Sequence, residues 1–493
     1  MKHSTKILAG LGAVGVAALL SHPAFAQAAA AATPAPAPTP TIATASLANM
    51  NKGDNTWMLV STLLVLMMSV PGLALFYGGL VRTKNMLSVL TQVLMIVCMV
   101  GVIWVCWGYS ETFTTYNAFV GNPFTKLFLK GVDANAAAAT FSNGVYIPEL
   151  TYVLFQMTFA MITPALFIGS VAERIKFSPL MLFVALWVTF VYFPIAHMVW
   201  CWDGPDAVAA AALKGKAALD AVNGDAGWLF QKGALDFAGG TVVHINAGIT
   251  GLVMCILLGK RLGYPNEPMP PHSLTMTMIG ASLLWVGWFG FNAGSNLEAS
   301  SVASVAFMNT MVATAAAGMS WLLTEQIVRG KPSLLGAASG VVAGLVAVTP
   351  ASGFAGTMGS VILGLMVSPI CFFFVSVVKS KFKYDDSLDV FGVHCIGGIT
   401  GAIMTGILAN PALGGQGIAD YSSKPGTLVV APYNWVAQVI TQAEAVLLTL
   451  VWSGVGAAVL YIIIDKTWGF RVSPEVELEG LDIAEHGERA YHY

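Results

Sequence analysis

Charge is scarce in this chain. Only 10% of its 493 residues are Asp, Glu, Lys or Arg, against about 25% in a typical soluble domain. The formal net charge of −2 gives no indication of a nucleic-acid partner or of a polybasic membrane patch. With 56% hydrophobic residues and a mean hydropathy of +0.73, the composition predicts a membrane protein.

Cysteine is also sparse, and its positions show no CxxC spacing. Most of the six cysteines lie inside apolar segments, where a thiol behaves as a small hydrophobic group. We therefore expect neither disulfides nor a cysteine-ligated metal, and no cofactor is indicated. The six are Cys98, Cys106, Cys201, Cys255, Cys371 and Cys395.

The first 50 residues differ in character from the rest. Two lysines precede a short apolar stretch, and Ala24-Phe25-Ala26 has the small-x-small pattern of a cleavage site. Residues 1–26 are therefore predicted to be a signal peptide. A first transmembrane helix is less favoured, because the apolar stretch is short. Residues 27–50, mostly Ala, Pro and Thr, are predicted to form an extended tether outside the cytoplasm.

Eleven apolar runs are compatible with crossing a bilayer, which takes about 20 helical residues. The predicted fold class is an all-α membrane protein with a transmembrane domain at 51–465 and a cytoplasmic tail at 466–493. The runs fall near residues 56–80, 88–109, 149–169, 178–200, 237–259, 273–292, 303–324, 334–350, 355–378, 389–408 and 435–464.

The distribution of Lys and Arg indicates the orientation. With the N-terminus outside, an odd number of spans puts the C-terminus inside. The inner loops then carry eleven Lys and Arg residues and the tail three more, against seven in the outer segments. This excess fits the positive-inside rule.

One pattern occurs twice, 150 residues apart. Asp236 precedes His244 by eight residues, and Asp386 precedes His394 by eight. If each helix begins at its aspartate, each histidine lies about 12 Å along it. The two helices enter from opposite faces, so both histidines would reach the centre of a core about 30 Å thick. We therefore predict an inverted repeat that relates spans 1–5 to spans 6–10.

Ionisable groups at membrane depth are costly, so the histidine pair is a functional candidate. Two touching rings can share or hold a proton. The alternatives are two separate core histidines and a bis-His haem site. Asp236 is interpreted either as a helix cap or as the carboxylate that stabilises a cation at the outer mouth. Asp386 and Asp389 are interpreted as caps and as an interaction site at the inner mouth.

Six segments resemble the ammonium transporter (Amt/Mep/Rh) family, bacterial type, over about residues 51–493. The outer loop at 203–235 is longer than in compact bacterial members. The segments are FYGGLVRTKN at 76–85, AERIKF at 172–177, HMVW at 197–200, GALDFAGGTVVH at 233–244, GWFGFNAGS at 287–295 and DDSLDVFGVH at 385–394.

The resemblance implies roles for particular residues. Phe159, Trp200 and Ser295 look like an outer ammonium recruitment site supported by Asp236. Phe159 and Phe291 look like a stacked gate below that site. His244 and His394 look like twin histidines that line the pore.

The resemblance also implies partners. The family forms a homotrimer, and its bacterial members bind a PII-type signalling protein at the cytoplasmic face. Asp386, Asp389, Arg471 and Glu475 are the residues expected to take part in that regulation. A solvated tail without a partner is the alternative for the charged C-terminal run.

The function expected from the sequence is transport rather than catalysis. We expect an inner-membrane transporter that recruits ammonium, deprotonates it and conducts ammonia, with methylammonium as an analogue. A bare ammonium ion in hydrocarbon would cost tens of kcal/mol. Whether a proton follows through the histidines is left open. The alternative functions are an ammonium sensor with low flux and a haem-bearing redox protein.

Overall fold

A computed structural model describes residues 50–423 and 429–492 of the chain. The predicted signal peptide, and all of the predicted tether except Met50, lie outside the described residues. Within the described part, helices dominate, and only two short β-ladders occur. Ala137–Ala139 pairs antiparallel with Tyr146–Pro148, and Ala419–Asp420 pairs antiparallel with Val429–Val430.

Ten helices in the described part are long and apolar enough to cross a membrane, and an eleventh apolar helix, α8, is shorter. The 15 residues of α8 rise about 22 Å, less than a hydrocarbon core of about 30 Å. The helices are α1 Lys52–Leu80, α2 Thr83–Phe113, α3 Glu149–Val171, α4 Phe177–Trp200, α5 Gly240–Leu258, α6 Leu274–Gly294, α7 Ser301–Arg329, α8 Leu334–Val348, α9 Thr357–Phe382, α10 Phe391–Leu408 and α11 Trp435–Thr467.

Short polar side chains begin several of these helices. Asn51 Oδ1 accepts from the N–H groups of Gly53 and Asp54 before α1. Ser333 Oγ accepts from Gly336 N before α8, and Asn434 begins α11 in the same way. The first N–H groups of a helix lack intrahelical partners, so such caps fix where the helix begins.

The C-terminal segment packs against one end of the helix bundle, hereafter the tail side. The Asp482 carboxylate accepts from Leu87 N at 3.0 Å and from Ser88 N at 2.8 Å, near the start of α2. Lys84 Nζ donates to the carbonyls of Glu477 and Leu478. The described tail is therefore bound to the chain's own loops, which differs from the fully solvated alternative.

The opposite end, hereafter the loop side, carries the two long loops at 110–148 and 203–235. The second loop contains three short helices, Pro205–Lys214, Lys216–Gly224 and Trp228–Gln231. The Asp206 carboxylate joins the two loops by accepting from Asn143 Nδ2, Gly144 N and Tyr146 Oη.

Candidate functional site

The helices α5 and α10 are built alike. Each begins with a π-helical stretch, Gly240–Ile245 or Phe391–Cys395, that contains its histidine. Each continues as an α-helix of 13 residues, Asn246–Leu258 or Ile396–Leu408. The expectation that each helix begins at its aspartate is wrong, because the helices begin four and five residues later. The histidines therefore lie close to the helix starts.

The Asp236 carboxylate bridges this gap in α5. Its Oδ1 accepts from Gly239 N at 2.9 Å and Gly240 N at 2.5 Å. Its Oδ2 accepts from Thr241 N at 2.8 Å, from Val242 N at 3.2 Å and from the Thr241 hydroxyl. Asp236 thus caps the free N–H groups at the helix start from outside the helix, and both oxygens are fully used.

The Asp386 carboxylate has a different set of partners. Its Oδ2 accepts from Phe391 N at 2.8 Å. Its Oδ1 is buried and has no hydrogen-bond partner among the described residues. Nearby, Lys379 Nζ donates to the Asp386 carbonyl and to Asp389 Oδ1, both at 2.6 Å. Burial raises the pKa of Asp386 to about 6.

Glycines let α5 and α10 cross closely. A Cβ on Gly248 would lie 2.4 Å from the Cys395 nitrogen, and a Cβ on Gly398 would lie 3.1 Å from the His244 Cβ. Any larger residue at Gly248 would push the two backbones apart. The close crossing brings the beginnings of both helices, and therefore their histidines, to one point.

His244 and His394 contact each other at this crossing. Their Nδ1 atoms are 3.3 Å apart, and the ring centroids are 5.4 Å apart. Both residues are buried. Nε2 of His244 is also buried and has no partner in the described part of the chain. The shared Nδ1 contact takes one proton, which leaves Nε2 of His244 free for a bound molecule.

Aromatic rings lie on the loop side of the histidines. The Phe159 and Phe291 centroids are 4.2 Å apart, and both rings are buried. Phe291 also lies 6.0 Å from the His244 ring. Trp200 stands perpendicular to Phe159, with a centroid distance of 5.8 Å. The rings form a continuous series of contacts from Trp200 through Phe159 and Phe291 to His244.

Trp200 and Ser295 are the outermost members of the predicted recruitment site. Trp200 is the last residue of α4, and its Nε1 donates to the Asp236 carbonyl at 3.0 Å. Ser295 directly follows α6, and its hydroxyl donates to the Phe291 carbonyl at 2.8 Å. Asp236 therefore contacts Trp200 through its backbone, while its carboxylate faces the start of α5.

A narrow cavity connects the aromatic stack to the histidines, and a wider one continues to the tail side. The wider cavity has a volume of about 530 Å³ and opens to solvent, and His394 borders both cavities. The wall of the wider cavity includes Lys379, Lys383, Arg329 and Asp389. The narrow cavity is lined by Met68, Leu73, Phe76, Ile162, Leu166, Val243, His244, Leu284, Trp288, Phe291, Val342 and His394.

The four predicted regulatory residues are divided between two places. Asp386 is buried and Asp389 pairs with Lys379 at the mouth of the wide cavity. Arg471 pairs with Glu477 at 2.8 Å and donates to the Leu258 carbonyl. Glu475 is exposed.

A buried ion-pair network on the tail side was not predicted from the sequence. Arg261 bonds both Glu173 and Asp385 at 2.8 Å. Burial alone raises the pKa of Glu173, but Arg261 and Arg82 outweigh it and hold that pKa below its usual value. Glu477 connects the tail to the network by accepting from Leu262 N at 2.7 Å. The available signal was four charged residues placed just past apolar spans.

The arrangement of the two histidines decides whether a haem could be held between them. The His244 and His394 rings contact each other directly, so no flat macrocycle fits between them as a bis-His haem would require. In the described residues, no group of three or more His, Cys, Asp or Glu side chains is arranged to hold a metal ion. What the arrangement offers is an aromatic entrance, an apolar passage and one shared proton site.

Sequence comparison identifies similar proteins. The model of the Ammonium Transporter Family matches residues 56–491. An ammonium transporter from Aquifex aeolicus (strain VF5) is 43% identical over 450 residues, which cover 91% of this chain and 96% of that protein. An ammonium transporter from Bacillus subtilis (strain 168) is 40% identical over 445 residues, covering 90% of this chain and 99% of that one.

Solved structures with the same fold include two named proteins. The Sensor Amt Protein matches with a TM-score of 0.75 and 25% identity, covering 88% of this chain and 98% of that chain. Saccharomyces cerevisiae Mep2 matches with a TM-score of 0.72 and 30% identity, covering 86% and 91%.

Proposed function

The chain belongs to the ammonium transporter family, and we propose that it binds ammonium, removes its proton and conducts ammonia past two histidines. It is a multi-pass membrane protein and an ammonium transporter. The observation that carries the proposed mechanism is the direct His244–His394 contact at the end of an otherwise apolar passage beneath two stacked phenylalanines.

The apolar passage argues for ammonia as the conducted species. Apart from the two histidines, every side chain that lines the narrow cavity is apolar. A bare cation there would lose its hydration without gaining a counter-charge, at a cost of tens of kcal/mol by Born arguments. Neutral ammonia avoids most of that cost. The proton therefore passes to water at the partly exposed loop-side mouth, and ammonia alone enters the narrow cavity.

We propose that ammonium is recruited by Phe159, Trp200 and Ser295. The Trp200 ring is partly exposed, and a cation over such a face gains about 0.5–2 kcal/mol. Both Asp236 oxygens already accept hydrogen bonds, so Asp236 acts through its charge and through its hold on Trp200. It does not act as a direct ligand.

The stacked Phe159 and Phe291 rings act as the gate. Their centroid separation of 4.2 Å leaves no space between them for a molecule. Passage therefore requires a ring to rotate, and the rotation admits a small neutral molecule more readily than a hydrated ion. Beyond the gate, Nε2 of His244 has no partner among the described atoms and can bond ammonia.

We propose the topology that the sequence predicts. Eleven helices cross the membrane, including the short α8, with the N-terminus outside and the C-terminal tail in the cytoplasm. An inverted repeat relates spans 1–5 to spans 6–10. The matched architecture of α5 and α10 supports the repeat. The positive-inside asymmetry supports the orientation.

The remaining assignments follow from family membership. We propose a homotrimer in the inner membrane, with a cleaved signal at residues 1–26 and a tether at 27–50. We propose that a PII-type protein binds the cytoplasmic face near Asp389 and the tail. Methylammonium serves as a transported analogue.

Flux through reconstituted vesicles tests the transport mechanism. Wild-type protein should carry ammonium-dependent current or methylammonium uptake, and a Trp200→Ala variant should lose most of it at low ammonium. Similarity to the Sensor Amt Protein makes low-flux sensing the second candidate. Wild-type flux no greater than that of protein-free vesicles would support sensing instead.

A further inference from the structure

The chain folds back along α2 after that helix ends. Helix α2 begins at the tail side, where Lys84 bonds the tail, and ends at Phe113 on the loop side. The 3-10 turn Leu127–Leu129 nevertheless packs against Trp104–Gly108 of the same helix. Those residues lie five to nine positions before the helix end, which is about 8–14 Å back along its axis.

This position corresponds to the membrane boundary. The 31 residues of α2 extend about 46 Å at 1.5 Å per residue, whereas the hydrocarbon core is about 30 Å thick. If the helix is centred, about 8 Å of it projects beyond the core at each end. A segment that packs 8–14 Å back from the end therefore lies where hydrocarbon meets the headgroups.

Specific hydrogen bonds hold the returning segment against the helix. The Ser110 hydroxyl donates to the Asn122 carbonyl at 2.7 Å and accepts from Lys126 N at 2.8 Å. Gly121 N donates to the Glu111 carbonyl at 2.8 Å. A Cβ on Gly121 would lie 2.6 Å from that carbonyl oxygen, so the approach requires glycine. The fold-back is therefore a built feature of the loop.

The segment directs apolar rings outward. Phe124 is 74% exposed and Phe128 is 67% exposed. Phe128 and Leu129 have φ angles of 54° and 56°, a left-handed conformation that is uncommon for residues other than glycine. The hydrogen bonds on either side of the turn hold this conformation, which leaves the Phe128 ring pointing away from the protein.

Helix α2 carries an exposed apolar stripe that precedes the fold-back along the helix. Leu94, Cys98 and Val102 follow each other at i, i+4 spacing and are all exposed, so they share one helix face. In a membrane-spanning helix such a face contacts lipid. The turn Leu127–Leu129 packs against Trp104–Gly108, the residues that soon follow Val102, and Phe128 adds exposed apolar surface at that level.

We propose that residues 123–130 form a hook that inserts Phe124 and Phe128 into the bilayer at the boundary between hydrocarbon and headgroups. The partner is membrane lipid. Two charged side chains fit that depth. Lys126 is held by Glu149 beside the Tyr109 ring, and Lys130 is exposed and can reach the headgroups, as long basic side chains do at membrane interfaces.

Photo-crosslinking from defined positions tests the hook. A benzophenone-bearing phenylalanine replaces Phe124, Phe128 or Leu213 in the full chain, which is reconstituted in phosphatidylethanolamine–phosphatidylglycerol vesicles and illuminated. Leu213 is the matched control, since it is 77% exposed in the helix Pro205–Lys214 of the other loop. Mass spectrometry should find lipid adducts several-fold more often at positions 124 and 128 than at 213.

Two results would overturn the hook. One is a lipid yield at 128 no higher than at 213, which would mean that the ring faces water. The other is a crosslink from 128 mainly to a second copy of the chain, which would make the surface a protein interface. Neither result depends on whether the protein transports ammonium.

A second variant separates insertion from loop folding. Phe128→Glu places a charge at the boundary, whereas Leu213→Glu places it in water. In vesicles, the melting temperature of Phe128→Glu should fall below that of Leu213→Glu. In detergent solution, the detergent belt adapts to the protein surface, so the melting temperatures of Phe128→Glu and Leu213→Glu should be closer to each other. Equal melting temperatures in vesicles would contradict the proposal.

Discussion

Asp236 and Asp386 occupy equivalent places in the two duplicated segments, yet their surroundings differ. The Asp236 carboxylate accepts five hydrogen bonds and has no cationic side chain within ion-pair distance in the described residues. The Asp386 carboxylate accepts one from Phe391 N, keeps one oxygen unpartnered in the described part, and lies beside Lys379. The same sequence pattern therefore gives a carboxylate with no cationic partner in the described residues on the loop side, and a carboxylate beside Lys379 on the tail side.

This difference fits transport from the loop side to the tail side. A mouth that recruits a cation gains from a carboxylate without a competing cation nearby. A mouth that releases ammonia has no need to bind ammonium, and on the tail side Lys379 already pairs with the Asp389 carboxylate. We therefore expect the two equivalent helix starts to act differently on ammonium.

The largest expected effect comes from replacing Asp236 by Asn, and Asp386→Asn is the variant with which it is compared. As helix caps, Asn and Asp are about equal. Here, however, both Asp236 oxygens accept from N–H groups, so the amide nitrogen of an Asn would place one donor against another. Asp236→Asn should therefore lose most transport and about 1–3 kcal/mol of stability. Asp386→Asn should keep both transport and stability, since the amide nitrogen can occupy the place of Oδ1, which has no partner in the described residues.

Vesicle flux measures transport by the two variants, and thermal denaturation measures their stability. Equal behaviour of Asp236→Asn and Asp386→Asn would show that the two carboxylates are equivalent after all. Full transport by Asp236→Asn would defeat the electrostatic role of Asp236, whatever its effect on stability.

The next effect concerns the two histidines, whose rings share one hydrogen bond. If the pair relays a proton, His244→Ala and His394→Ala should each abolish charge movement while leaving ammonia permeation measurable. The double variant should be little worse than either single one, because residues that act as a unit are non-additive.

Solid-supported-membrane currents and ammonia-driven pH changes separate charge movement from permeation. Wild-type currents in both single variants would leave the pair as pore lining only. Currents lost in just one of them would mean that the equivalent histidines have separate roles.

A smaller effect distinguishes two tail glutamates. Glu477 is buried and accepts from Leu262 N and Arg471, whereas Glu475 is exposed. Glu477→Gln cannot hold both donors as a carboxylate does, so the tail should become easier to cleave by protease, and PII-type binding should weaken. Glu475→Gln is the control for tail packing.

Limited proteolysis and a pull-down with a PII-type protein read out the two properties separately. If Glu477→Gln is as resistant as wild type, the ion pair does not hold the tail. If only Glu475→Gln loses the partner, the exposed glutamate contacts the partner directly and the buried one acts on tail position alone.

The smallest effect is a pH dependence of stability at Asp386. Its folded pKa of about 6 lies above the unfolded value of about 3.9, so the folded state binds the extra proton between these values. Protonation of Asp386 therefore stabilises the folded state as pH falls below about 6, and this stabilisation is lost as pH rises through 6. Asp386→Asn should lack this dependence.

Denaturation of wild type and Asp386→Asn between pH 5 and pH 7 tests the point. The stability difference between them should shift in favour of wild type at the acidic end. A difference that is constant across this range would mean that Asp386 does not titrate there.

Several features of the fold were predictable because membranes impose simple rules. The apolar runs predicted ten of the long helices, and the duplicated Asp-x7-His pattern predicted which two helices match. The eleventh run, at residues 334–350, corresponds to the shorter helix α8 of 15 residues. Hydropathy predicted that this segment is apolar, but it did not predict how short its helix is.

The helix starts were predicted less well. Hydropathy places residues 237 and 389 inside apolar runs, but α5 begins at Gly240 and α10 at Phe391. The residues before them adopt turns because the side chain of Asp236 or Asp386 replaces the missing helical acceptors. Such side-chain caps depend on local three-dimensional geometry that a hydropathy pattern does not contain.

The sequence by itself determined that this is a helical membrane protein, which two histidines lie inside duplicated apolar runs, and to which family it belongs. These follow from composition, spacing and motifs. Only the tertiary structure decided that the histidines touch through Nδ1, that Asp236 is saturated while Asp386 is not, and that Glu477 rather than Glu475 anchors the tail. The histidine contact and the anchoring by Glu477 depend on groups from distant segments that helix packing brings together. The difference between the two aspartates depends instead on the path of the backbone over the few residues that follow each of them.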